Sequence, residues 1–153
     1  MRLSIVAVGQ MRGADEAALY DTYAKRIAQA GRHIGLDGLH LTEIKEQSGA
    51  NEKLAAQIAA RPNALIVALD EGGKEMGSRQ WADKIGQWRD DGQSDMICVL
   101  GAADGLSEAL RARADFCLSL GKMTWPHLLA RALLAEQLYR AISILSGHPY
   151  HRD

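Results

Sequence analysis

The last six residues, His148-Pro149-Tyr150-His151-Arg152-Asp153, hold two imidazoles, a phenol and a guanidinium. Chain ends are usually poor in such groups. An imidazole titrates near neutrality, at about 6.5 when unperturbed, so it can accept a proton in a reaction. Arginine can hold a phosphate through two parallel N–H bonds, and a tyrosine ring can stack on a nucleobase. The pair His148-x-x-His151 also suggests a metal, but no cysteine or carboxylate is spaced to complete a ligand set, and no metal is expected.

Two further segments offer chemistry. Gly101-Ala102-Ala103-Asp104-Gly105-Leu106-Ser107 follows an apolar run directly, and its glycines let main-chain groups approach a ligand closely. The spacing is neither a dinucleotide fingerprint nor a phosphate loop, and by itself it is also compatible with an ordinary turn. Thr124-Trp125-Pro126-His127 opens the final helical pattern, where unpaired N–H groups favour anions. His127 is also readable as a plain polar residue of a first helical turn. There is no G-x-S-x-G nucleophile elbow, and no pair of carboxylates suggests glycoside hydrolysis.

The elements that must position these groups alternate along the chain. Residues 2–8 read as a buried strand, and the four-residue spacing of Leu19, Tyr23 and Ile27 gives a helix over about 15–30. A strand over 36–44 follows. A helix capped by Asn51 then buries Leu54 and Ile58 and stops before Pro62. The run 64–69 is continuously apolar, as in a parallel strand covered on both faces, and 70–74 is its loop. Ser78 is expected to cap a helix with Trp81, Ile85 and Trp88 on its core face, closed by Asp91-Gly92. Strands over 96–100 and 116–120 flank a short helix capped by Ser107. Gly121-Lys122-Met123-Thr124-Trp125 then leads into a helix that begins at Pro126 and ends at Gly147.

This β/α alternation predicts an α/β fold with a mostly parallel sheet, helices on both faces, and ligands at the C-terminal ends of the strands. The chain is expected to form one domain over residues 1–153. The final helix carries Leu128, Leu129, Leu133, Leu134, Leu138, Ile142, Ile144 and Leu145 around most of its circumference. It must therefore be covered on several sides, either within one subunit or by a second copy.

Composition narrows the partners. No apolar run approaches the roughly 20 residues of a membrane helix, and the apolar part of the N-terminal run is too short for a signal peptide. Cys98 and Cys117 stand alone in apolar stretches, which suits a reducing cytoplasm. The net charge of −1 is uneven. Six Lys/Arg against three acids leave residues 111–153 at +3, and residues 1–110 carry −4. A basic end on an acidic body is compatible with RNA binding at one face, and equally with chance.

Together the segments resemble one family. Leu3-x-x-Val6-Ala7-Val8-Gly9, Leu69-Asp70-x-x-Gly73-Lys74, Gly101-x-x-Asp104-Gly105-Leu106-Ser107, Ser119-Leu120, Thr124-x-Pro126-His127, Leu138-Tyr139-Arg140-Ala141-x-Ser143-Ile144 and the closing Pro149-Tyr150-His151-Arg152 are similar to the ribosomal RNA large subunit methyltransferase H family. These are SPOUT-class enzymes. The resemblance runs end to end and implies a C-terminal trefoil knot, a homodimer and S-adenosylmethionine as methyl donor. It also implies methylation at N3 of a pseudouridine in 23S rRNA, in the decoding-proximal helix of the large subunit of an assembled ribosome. The donor-binding positions it implies are Leu69, Gly101, Leu120, Gly121, Lys122, Met123, Thr124 and Trp125. On the nucleobase side it implies His151 for proton acceptance or base orientation, Tyr150 for stacking, and Arg152 or Arg140 for phosphate. The chain departs from the family at Gly101-Ala102-Ala103-Asp104-Gly105, where Gly-Gly-Pro-acidic-Gly is usual, and at Trp125, where an aliphatic residue is commoner. The altered loop leaves open a ribosome-binding factor with a degenerate donor pocket. A small-molecule enzyme on an unknotted sheet is a further alternative.

Overall fold

The computed structural model describes residues 1–152. Five strands, β1 (Arg2–Val8), β2 (Asp37–Ile44), β3 (Leu65–Glu75), β4 (Asp95–Leu100) and β5 (Phe116–Ser119), form one sheet in the order β2-β1-β4-β3-β5. Every pairing is parallel. The helices are α1 (Asp15–Ala30), α2 (Ala50–Ala59), α3 (Ser78–Asp90), α4 (Glu108–Arg113) and α5 (His127–Leu145).

Alternation in β1 shows how the layers arise. Leu3, Ile5 and Ala7 face one core with Tyr20 and Ile27 of α1, Trp81 and Ile85 of α3, and Leu134, Leu138 and Ile142 of α5. Val6 and Val8 face the other, with Leu54 and Ile58 of α2 and Leu110 of α4. Successive strand side chains point to opposite faces, so a strand covered on both sides must be apolar throughout. Trp81 belongs to the first core, stacked on Phe116 at 6.4 Å and meeting Trp88 edge-on at 5.9 Å. That is the packing role expected of the aromatic stripe.

Three local expectations are corrected. Asn51 is not the cap of α2: Gly49 is, and the helix starts at Ala50. Ser78 is the first helical residue of α3, and Gly77 holds the cap, its N–H donating to Gln80 Oε1 at 3.0 Å. Residues 70–74 do not simply end a strand. Leu69 pairs with Leu118, the ladder breaks, and Lys74 and Glu75 resume beside Leu118 and Ser119. Asp70–Gly73 is thus expelled as a lobe, turned by a hydrogen bond from Gly72 N to Asp70 Oδ1 at 2.9 Å. Gly73 passes so close to β5 that a Cβ there would lie 2.7 Å from the Leu118 carbonyl carbon. Ser107 caps α4 as expected, accepting from Leu110 N at 3.3 Å.

The helix α5 lies between α1 and α3 over the sheet, and none of its residues is fully exposed. Its cover therefore comes largely from its own subunit. In its second turn sits Arg131, 0% exposed. Its Nη2 donates to Val8 O at 3.0 Å and Gly9 O at 3.2 Å, and its Nη1 donates to Glu43 Oε1 at 2.7 Å. Burial pulls the guanidinium below its ordinary pKa, and the Glu43 carboxylate opposes this. Glu43 also accepts from Met11 N at 2.8 Å, so one ion pair ties the ends of β1 and β2 to α5. Among the described residues, no helix is long and apolar enough to cross a membrane.

Removing Glu43 would leave a buried, uncompensated cation. Glu43→Ala is expected to lower the unfolding free energy by about 3 kcal/mol, the low end for a broken buried pair because Glu43 is partly exposed. Asp90→Ala, which breaks an exposed pair with Arg89, should leave the urea midpoint unchanged. Equal midpoints for the two variants in urea unfolding would show that the buried pair has no such weight.

Candidate active site

At the C-terminal ends of β3, β4 and β5 three loops enclose a cleft of about 330 Å³. The lobe after Leu69 contributes Asp70 and Glu71. The loop after Leu100 contributes Gly101 through Gly105, and the loop after β5 contributes Leu120, Gly121, Met123, Thr124 and Trp125. His127 and Ala130 of α5 form one wall. Seven of the eight residues expected to bind the donor line this cleft, and Lys122 is exposed in the same loop without lining it.

Side chains stitch the three loops together. Arg111 Nη1 donates to Leu106 O at 2.9 Å and meets Asp70 Oδ2 at 3.4 Å, joining the second loop to the lobe. Thr124 Oγ1 donates to Glu71 Oε2 at 3.4 Å, joining the lobe to the third loop. The Gly101–Gly105 loop closes on itself, with Gly105 N donating to Ala102 O at 2.9 Å. A Cβ on Gly101 would lie 2.2 Å from Gly105 O, so this position has no room for a side chain. The closure forms with Ala102 and Ala103 between the two glycines. On the far side, a Cβ on Gly9 would lie 2.9 Å from His127 Nε2, so the end of β1 packs directly against the imidazole.

The lining suits a cationic nucleoside. Asp70, Glu71 and Asp104 face it with Arg111, while Leu69, Leu100, Leu120 and Met123 supply apolar surface. Carboxylates near a positive charge lower its energy, modestly where, like Glu71 and Asp104, they are exposed. Met123 is 74% exposed and Trp125 40%, unusual for such large apolar side chains. A second hollow of about 410 Å³ lies beside the cleft, shares Leu120, Gly121 and Trp125 with it, and continues along Leu133 and Gln137. It is the larger of the two and touches the ends of β3 and β5 at Glu75, Leu118 and Ser119, but the Gly101–Gly105 loop and the converging charged groups belong to the first, which we take as the site. Sequence reasoning gave Arg111 no place here, and no local motif marks it. Asp70 was visible only within a shared motif.

The four residues expected on the nucleobase side do not reach this cleft in their own subunit. The tail after Gly147 folds back along α5. Tyr150 packs on Tyr139 with ring centroids 4.8 Å apart, and its hydroxyl donates to Glu136 Oε1 at 3.0 Å. That hydroxyl has one proton, so the 3.3 Å contact with Tyr23 is a donation from Tyr23. Burial, then hydrogen bonding to Tyr23 and Glu136, raises the Tyr150 phenol above its ordinary pKa and keeps it protonated. Arg140 stands 5.0 Å over the Tyr150 ring, donates to Glu136, and places Nη1 3.3 Å from His151 Nδ1. Arg152 is exposed. Glu136 and Arg140 lie six and ten residues after Ala130, the last residue of α5 on the cleft wall, about 9 and 15 Å along the helix axis. Among the described residues, no group of His, Cys, Asp and Glu is arranged to hold a metal ion.

The family model described as "Predicted SPOUT methyltransferase" matches residues 1–151, so the chain belongs to the SPOUT methyltransferases. It is 47% identical to the ribosomal RNA large subunit methyltransferase H of Roseobacter denitrificans and 46% identical to that of Allorhizobium ampelinum, each alignment covering 100% of both chains. Within the SPOUT class the chain is thus a member of the ribosomal RNA large subunit methyltransferase H family. The fold is shared with a probable methyltransferase from Bordetella pertussis Tohama I (TM-score 0.53, 16% identity, covering 92% of this chain and 95% of that one). It is shared too with a probable methylase family protein from Haemophilus influenzae Rd KW20 (TM-score 0.52, 15% identity, covering 99% and 70%).

Closure of the Gly101–Gly105 loop sets the cleft. Gly101→Ala is expected to cost about 3 kcal/mol of stability through backbone overlap. Gly105→Ala, which meets no atom but must hold a positive φ, should cost about 1 kcal/mol. Urea unfolding of both variants would test the order, and a Gly101→Ala protein no less stable than Gly105→Ala would refute it.

Proposed function

We propose that the chain transfers a methyl group from S-adenosylmethionine to N3 of a pseudouridine in the 23S rRNA of an assembled ribosome, as a homodimer in the cytoplasm. The observation that carries this reading is the main-chain cleft at the ends of β3, β4 and β5, in a chain about 46% identical over its full length to curated large subunit methyltransferases. No observation among the described residues favours a non-catalytic factor.

When bound, the donor supplies an already activated methyl group. Leu69, Gly101, Leu120, Gly121, Met123, Thr124 and Trp125 would hold it, Lys122 would lie at the rim, and the Asp70, Glu71 and Asp104 carboxylates match its positive charge. The protein's remaining task is to bring the imide nitrogen in line with the methyl group and to favour loss of its proton. Tyr150, His151, Arg152 and Arg140 are the groups for that task. Arg140, against which Tyr150 and His151 rest, lies about 15 Å along α5 beyond Ala130, the last residue of that helix to line its own cleft. A partner subunit's tail is therefore the one we assign to each cleft. Leu129 and Leu133 of α5, half-buried and one turn apart, with exposed Trp125 and Met123, supply apolar surface for such a partner. The family's trefoil knot belongs to the same proposal, and the close passage of Gly73 against β5 supports it. Recognition of a structured site on the ribosome by shape explains how a chain of net charge −1 finds RNA.

Calorimetry with S-adenosylmethionine should show saturable binding. Incubation of labelled donor with ribosomes lacking the modification should place one methyl group on a 23S pseudouridine, read by mass analysis of the RNA. Mixing a cleft-filling variant, Ala103→Trp, with His151→Ala tests the shared site. Each is expected to keep about a hundredth of wild-type activity or less alone. After subunit exchange, half the dimers hold one intact site, restoring about a quarter of wild-type activity. No recovery in proven mixed dimers would place the tail on its own cleft.

A further inference from the structure

The tail residues are held by a relay that fixes what His151 can do. Glu136 Oε1 accepts from both Tyr150 Oη, at 3.0 Å, and Arg140 Nη2. With Nη2 so engaged, the second terminal nitrogen, Nη1, lies 3.3 Å from His151 Nδ1. Arginine has five N–H donors, no acceptor, and does not lose its charge in proteins. An imidazole nitrogen facing it must therefore be the acceptor. A proton on Nδ1 would set one N–H against another. The neutral ring in this contact carries its proton on Nε2, and its basic lone pair is directed at Arg140.

We infer that His151 serves methyl transfer as a hydrogen-bond donor through Nε2–H to a carbonyl oxygen beside the reacting imide nitrogen, and that Arg140 and Glu136 are positioning residues that set this tautomer. The inference rests on the proposed function and, of the two roles expected for His151 from the sequence, takes base orientation over proton acceptance. The chemistry balances without a protein base. The imide N–H gives its proton to bulk water, and the resulting anion spreads its charge onto the two flanking carbonyl oxygens. A positioned donor at one of those oxygens stabilises that charge, as donors do at other developing oxyanions. The nitrogen lone pair then forms the N–CH3 bond while the methyl–sulfur bond breaks, its electrons remaining on sulfur as a neutral thioether.

The test uses glutamine, whose side-chain N–H2 occupies roughly the place of Nε2–H but cannot act as a base. With the full-length protein and unmodified ribosomes, His151→Ala should lower kcat about 100-fold, the scale of losing one such donor. His151→Gln should stay within about tenfold of wild type, with the same pH profile. Long-range 15N–1H spectra of histidine-labelled protein, with the His151 signal assigned by its loss in His151→Gln, should show the Nε2–H form. Arg140→Ala should convert that signal to a mixture of tautomers. His151→Gln as inactive as His151→Ala, with a neutral-range limb of the wild-type profile absent from His151→Gln, would overturn the donor role while leaving the site assignment standing. An Nδ1–H signal in the wild type would do the same. Wild-type turnover in His151→Ala would overturn this inference and the site assignment together.

Discussion

The structure turns on a buried cation. Arg131 lies where β1, β2 and α5 converge, and its guanidinium satisfies the Val8 and Gly9 carbonyls that leave the end of β1. Burying such a group is costly, and a well-packed apolar side chain would often serve stability as well. What the apolar alternative lacks is direction. The planar fork fits those two carbonyls and Glu43 in one arrangement, so it fixes how far α5 slides along the sheet. One turn earlier on α5, His127 rests against Gly9 at the wall of the cleft. The register set by Arg131 is therefore also the position of the site.

Much of this fold was legible because its layers impose different periods. Strands covered on both faces are continuous apolar runs, and the helices between them repeat at three to four residues, so the β/α order could be read directly. Other features left no such trace. The lobe at 70–73 interrupts a strand pairing and looks in sequence like an ordinary polar loop, because the ladder resumes only through contact with the distant β5. Arg131 reads as one more charged residue of a C-terminal segment counted as basic. The available signal was its place in a helix otherwise apolar on nearly every side. That helix was read as needing cover from several directions, and α1, α3 and the sheet supply most of it.

The site divides in the same way. Cleft residues lie in loops directly after strands, where parallel sheets present ligands, so topology alone directs attention to them. Arg111 and Asp70 were harder to see because they act by joining loops that are 41 residues apart in sequence. The tail is the opposite case. Its composition announces chemistry, but composition says nothing of distance, and the length of α5 separates Tyr150 and His151 from the cleft of their own chain.

That separation has a consequence for how the proposed enzyme would work. The proposed donor side is largely main chain, closed by contacts such as Gly101 against Gly105 O, where any added Cβ forces the backbone to move. The proposed acceptor side is a short tail held by side-chain contacts among Tyr23, Glu136, Tyr139, Arg140 and Tyr150. Such donor loops would bind a small cationic cofactor before RNA arrives, since none of the contacts that join them involves the tail. The tail contacts are hydrogen bonds and ring packing near the surface, which rearrange at far lower cost than a packed core. Dividing the site between a fixed cleft and an adjustable tail lets donor affinity and RNA engagement vary independently. If the tail belongs to the partner subunit, the catalytic geometry exists only in the dimer, and the weakest link in the site is the interface that aligns its two halves.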